Sequence, residues 1–382
     1  MVRRESLPAL TGLRFLAAFA VLLFHFAWVI PYPLSLGQLI YHGTLGVDLF
    51  FVLSGFVMVY SYGDALSAGQ VSYRDFLRAR FARIVPMHVL ALLLLTPIVL
   101  YGLAAGAPTF TVPTVDVLGS WLATLFLVFP LDPHNETYLW NVPAWSLSAE
   151  VLFYLLFPLI ARLGLARLSR RLPILGTGAA ILLAYLLVLR LIPPVRVWQD
   201  AYFLPPLRLP EFLVGCLAGR YYLSCPPSAR SMNAFLVGAS PVAALVVLWP
   251  TGWEPTFTVL YAPLAALLIV GLARKANSLS RLLAHPVVVQ LGEASYALYL
   301  LQYVPLSLLV LLGGQTFSNA PMPWLLAAVR QHPGNGVAAI VSLLVIAATI
   351  GASLLAYRVV ECPARRALRP RPVNQHQMTL IH

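Results

Sequence analysis

The sequence predicts an all-α fold, a polytopic membrane bundle of about ten transmembrane helices with both termini cytoplasmic. Two observations predict the bundle and a third sets the count. The 382 residues are 60% hydrophobic and 10% charged, whereas a soluble domain carries about 25% charged residues. Apolar runs of about 20 residues, the length needed to cross a hydrocarbon core, recur from end to end. Inside lipid such runs must be helical, because a helix satisfies its own backbone hydrogen bonds. The third observation is the placement of arginine between the runs.

The apolar runs cover 9–30, 43–62, 85–103, 147–163, 174–192, 207–223, 234–249, 257–273, 287–312 and 337–357. A shorter one covers 117–130. With Arg3 and Arg4 in the cytoplasm, Arg74, Arg78, Arg80 and Arg83 fall on the same side after two crossings. If 117–130 does not cross, so do Arg162, Arg167, Arg170 and Arg171, then Arg220 and Arg230, then Arg274, Lys275 and Arg281. Arg365, Arg366, Arg369 and Arg371 in the tail also land inside. An eleventh crossing would move every later basic loop outside, against the positive-inside bias. The 117–130 segment therefore reads as an interfacial or re-entrant cover in a long external loop.

The net charge of +12 is accounted for by these loops, so nucleic-acid binding is not expected. Lys275 is the only lysine, and a preponderance of arginine suits bidentate phosphate contacts. Cys216, Cys225 and Cys362 form no CxxC pair or disulfide framework. No two histidines stand at helical ligand spacing, so no metal site is expected. Arg3 and Arg4 before an apolar run resemble a signal peptide, but Arg14 within the run points to a retained helix.

Ionisable groups inside spans cost about 2.5–3.5 kcal/mol even on insertion scales, which makes each a functional candidate. Arg14 and His25 are about three helical turns apart on the first span, hence on one face and about 16 Å apart along the axis. Asp48, Glu150 and Glu211 begin later spans at a depth comparable to His25. A neutral imidazole held by a carboxylate can accept a hydroxyl proton near neutral pH, so His25 is a catalytic candidate, with Asp48, Glu150 or Glu211 as the acid beside it. Arg80 and Arg83, three apart on one helix face, lie at the depth of Arg14. Three converging guanidinium groups would hold a phosphorylated ligand.

In order along the chain, these residues resemble the acyltransferase-3 family of membrane O-acyltransferases. The resemblance rests on Arg14 with His25, on Gly46-Val47-Asp48-Leu49-Phe50-Phe51 through Ser54-Gly55-Phe56, and on Arg80 with Arg83. It continues through Trp145-Ser146-Leu147-Ser148-Ala149-Glu150, Tyr154 and Pro158, then Ser295-Tyr296-Ala297-Leu298-Tyr299-Leu300, and Glu361 before Pro363. Two positions depart: Gln302 stands where the family often has histidine, and Cys362 where it often has arginine.

The resemblance implies a membrane acyltransferase domain over 1–363 and a basic, disordered cytoplasmic tail over 364–382. It implies an acyl-CoA donor, acetyl-CoA foremost, as substrate rather than resident cofactor. The acceptor would be a hydroxyl of a glycan, glycolipid or natural product, and the location a bacterial inner membrane. On this reading Arg14, Arg80 and Arg83 hold the CoA phosphates and His25, oriented by Asp48 or Glu150, is the base. A transporter or flippase would use the same intramembrane charges, but would favour an internal repeat, and none is found.

Overall fold

The computed structural model describes residues 5–27, 37–106, 116–128, 140–163, 168, 171–191, 203–224, 257–274, 278–313 and 336–368. Among them the fold is helical throughout, with no strand. The principal helices are α1 Pro8–Phe26, α2 Leu45–Met58, α3 Tyr73–Ala104, α4 Val117–Leu125, α5 Trp145–Leu163 and α6 Arg171–Leu191. They continue with α7 Leu209–Ser224, α8 Phe257–Ala273, α9 Pro286–Glu293, α10 Ser295–Leu301, α11 Tyr303–Gly313 and α12 Gly336–Ala356.

Six helical stretches among the described residues are long and apolar enough to cross a membrane. The pair Pro286–Glu293 and Ser295–Leu311, bent by 49°, makes a seventh if taken as one span. The ten runs counted in the sequence compare as follows. Leu209–Ser224 and Phe257–Ala273 are helices of 16 and 17 residues, and 234–249 lies outside the described residues. Leu187, Leu191, Leu343 and Leu344 turn outward on α6 and α12, as side chains facing lipid do. Helix Cys362–Leu368 carries the start of the basic tail; 369–382 lies outside the described residues.

The short run at 117–130 forms α4, nine residues long. At about 1.5 Å per residue it rises about 14 Å, less than half a hydrocarbon core. Asp116 caps it by accepting from Gly119 N at 2.9 Å. It is fastened to α3 by Trp121 Nε1 donating to Thr96 Oγ1 at 3.0 Å, and by His88 Nε2 at 3.0 Å from the Thr124 carbonyl oxygen. A carbonyl only accepts, so that nitrogen carries the proton.

α3 begins with a serine cap: Ser72 Oγ accepts from Asp75 N and donates to the Asp75 carboxylate. Arg74 and Arg78 in its first turns are exposed, while Arg80 and Arg83 turn inward. α2 and α12 each run on through a π-helical turn, Val59–Gly63 and Tyr357–Glu361. Such turns re-aim side chains and recur at functional sites; the second one presents Glu361.

α1 packs against α2, α9 and α10, and the most extensive seam joins α2 to α7. There the backbones touch. A Cβ on Gly55 would collide with the Phe212 carbonyl oxygen, and one on Gly215 with that of Val52. Small residues permit such close approach between membrane helices, where apolar burial alone gives little drive to associate. Phe153 of α5 stacks on Phe212 of α7 at 4.5 Å and extends the seam to a third helix. Gly215→Val is expected to destabilise the protein by about 2 kcal/mol or more through overpacking, read as a lowered unfolding midpoint in detergent. An unchanged midpoint would show that the seam yields.

Candidate active site

α2 divides its surface between two neighbours. At about 100° per residue, Asp48, Val52 and Gly55 share the face turned to α7, while Val47, Phe51, Ser54 and Met58 share another. The second face lines a cleft together with Phe50, Arg14 of α1, Arg80 and Arg83 of α3, Ser146 and Glu150 of α5, and Tyr296 and Tyr299 of α10. The cleft opens to the outside, and its empty space, open mouth included, is about 680 Å³. The three arginines that the sequence placed at one depth thus line one cavity. Each is half-buried.

Like charges gathered in apolar surroundings need compensation. Arg80 donates Nη2–H to the Tyr154 hydroxyl at 2.9 Å, and that hydroxyl donates to Glu150 Oε2 at 2.8 Å. The Arg80 guanidinium also lies 4.6 Å from the centre of the Tyr154 ring. Glu361, wholly buried, faces Arg83 and Arg14 and accepts from Arg365 Nη1 at 3.5 Å. Among the described residues, the cleft is lined by three guanidinium groups and one carboxylate, Glu150, with Glu361 beside them. That preponderance of positive charge suits an anion. The Tyr296 hydroxyl donates to the Ile84 carbonyl at 2.8 Å and ties α10 beside Arg83.

His25 stands apart from this cleft. Its ring meets Phe24 edge-on at 5.2 Å and Tyr303 at 5.8 Å. The fully buried Gln302 side chain faces it, and its Nε2 donates to the Tyr299 carbonyl at 2.8 Å. His25 also lies near the backbone of Val21, one turn earlier on α1.

The acids expected beside His25 have other partners. Glu150 belongs to the arginine cleft. Asp48 and Glu211 both accept from Arg208 Nη1, at 3.2 Å and 3.0 Å, and all three are buried to 4% exposure or less. Glu211 needs no other account: one guanidinium holds two carboxylates and locks α2 to α7. Arg208, absent from the sequence-derived site, carries a local signal in its three-residue spacing from Glu211. Its bond to Asp48, across 160 positions, carries none. Glu361, Tyr154 and Gln302 belonged to recognisable motifs, but their neighbours are set by packing. Arg208→Leu would take the guanidinium away from two buried acids and is expected to cost about 3–5 kcal/mol, read by thermal unfolding in detergent. A loss under about 1 kcal/mol would mean the acids find water.

The family model for the acyltransferase domain of the acyltransferase-3 family matches residues 7–358. The chain is 33% identical to the acyltransferase MdmB of Streptomyces mycarofaciens, over 97% of this chain and 95% of that one. It is 32% identical to the exopolysaccharide production protein ExoZ of Rhizobium meliloti, over 79% and 88% of the two chains. With the O-acetyltransferase OatA of Staphylococcus aureus it shares 23% identity, over all of this chain and 62% of that one. No solved structure matches it. The chain belongs to the acyltransferase-3 family and is a membrane O-acyltransferase.

Proposed function

We propose that the protein moves a short acyl group, acetyl foremost, from acyl-CoA to a hydroxyl of a carbohydrate or glycosylated natural product. The observation that carries this reading is the cleft in which Arg14, Arg80 and Arg83 converge with a surplus of positive charge. Guanidinium groups take phosphate oxygens bidentately, and CoA offers a diphosphate and a further phosphate. The positive-inside bias puts this end of the cleft on the cytoplasmic side, where acyl-CoA is made. The apolar length of the cleft suits the pantetheine arm. An acceptor of carbohydrate type is supported by the name of the exopolysaccharide relative.

In this mechanism the phosphates sit at the arginines and the thioester lies farther along the cleft. His25 takes the proton of the acceptor hydroxyl, and the oxygen attacks the thioester carbon. The carbon–sulfur bond breaks, and the departing thiolate takes up the proton that the His25 imidazolium gives back, which restores the neutral base. Gln302 faces the imidazole and helps hold its orientation, so that one ring nitrogen keeps a lone pair for the acceptor. Glu150 and Tyr154 hold Arg80 at the phosphates. The bacterial inner membrane is the location this chemistry requires, with donor on one face and His25 toward the other.

Membranes containing the full chain and its host's acceptors, given labelled acetyl-CoA, test this. His25→Ala is expected to lower acyl transfer by about 10²–10⁴-fold with unchanged insertion. Arg80→Ala is expected to raise the KM for acetyl-CoA more than it lowers kcat, since the lost contact binds donor in ground and transition state alike. Near-normal transfer by His25→Ala removes the general-base assignment. Movement of an unmodified acceptor across the membrane, with no acyl product, favours a flippase.

A further inference from the structure

We infer that Phe50 is the specificity-determining wall of the acyl site, separating the donor cleft from His25 and restricting the protein to short acyl groups. The inference rests on the acyl-CoA reading above and adds to it the residue that sets chain length.

The cleft has two unlike ends. Arg80 bonds Tyr154, two turns along α5 from Ser146, so Arg80 marks the end shared with Val57 and Met58. The other end is made by Val47, Phe50, Phe51 and Leu147. From Met58 to Val47 the distance along α2 is about 16 Å. The polar atoms at this far end are already engaged. Ser146 Oγ and the Tyr299 hydroxyl lie 3.0 Å apart, and both reach the Pro143 carbonyl oxygen at 3.1 Å. With those groups satisfied, the far end offers a ligand an apolar surface, fit for an acyl chain and not for a phosphate or sugar.

Phe50 is placed to decide how much of that surface is available. It lines the cleft and its ring meets Tyr299 at 6.1 Å. It also packs against the apolar cluster that includes Tyr303, whose ring meets His25 at 5.8 Å. Among the described residues it alone packs against all three of the larger apolar clusters. It is half-buried while its neighbours Leu49 and Phe51 are buried, so one side of the ring borders open space. An acyl carbonyl brought within reach of His25 therefore lies against this ring, and each added methylene must displace it.

The test uses membranes carrying the full chain and the acceptors of the wild-type host. An equimolar mixture of acetyl-, butyryl- and hexanoyl-CoA is supplied and the acylated products are resolved by mass spectrometry. The ratio of long to short product is independent of how much protein is folded, which guards against a variant that inserts poorly. Wild type is expected to give mostly acetyl product. Phe50→Ala is expected to raise the butyryl-to-acetyl ratio at least about tenfold, Phe50→Leu to raise it less, and Phe50→Trp to lower it. If the ratio stays within about twofold of wild type in both Phe50→Ala and Phe50→Leu, or if wild type already prefers hexanoyl, Phe50 is not the wall. If wild type forms no acylated product from any donor, the acyl-CoA reading itself fails.

Discussion

Arg208 governs the seam on which the active-site helices are hung. Its guanidinium holds Asp48 of α2 and Glu211 of α7 in an interior that admits almost no solvent. A buried charge is tolerated only with partners in good geometry, and losing one partner costs more than the pair is worth. Satisfying that demand fixes the rotation of α2. Once Asp48 faces α7, Val47, Phe51, Ser54 and Met58 must face the other way, into the cleft. The glycine contacts at Gly55 and Gly215 bring the two backbones close enough for the ion triad to form.

The same economy organises the arginine end. Three guanidinium groups could not be drawn together by apolar packing alone. They are held by Tyr154 and Glu150 from α5 and by Glu361 from the π-helical turn after α12. Among the described residues the lining keeps three guanidinium groups to one carboxylate, and in the acyl-CoA proposal this positive face receives the phosphates of the donor. Carboxylates that fully neutralised the arginines would compete with phosphate.

Separation of this cleft from His25 is the other organising feature. The first span carries Arg14 into the cleft and His25 out of it, toward Tyr303, with Tyr299 on the cleft side and Gln302 on the His25 side. In the proposed mechanism, this separation keeps the thioester apart from the base until an acceptor arrives. α4, fastened to α3 through His88 and Trp121, adds a covering element too short to cross a hydrocarbon core.

Much of this was legible in one dimension. Composition and run length determined a helical membrane bundle, because lipid leaves the backbone no other way to satisfy its hydrogen bonds. Loop arginines singled out 117–130 as a run unlike the others. The three-turn spacing of Arg14 and His25, and the three-residue spacing of Arg80 and Arg83, follow from helical periodicity and needed no tertiary information. What only the tertiary structure decided is the assignment of partners. Asp48 and Glu150 begin their spans at similar depth, and depth alone made both companions of His25. Helix rotation sends Asp48 to Arg208 and Glu150 to Tyr154 and the arginines. Periodicity tells which residues share a face of one helix. Which helix that face meets depends on packing between segments more than a hundred residues apart, where no local spacing carries the signal.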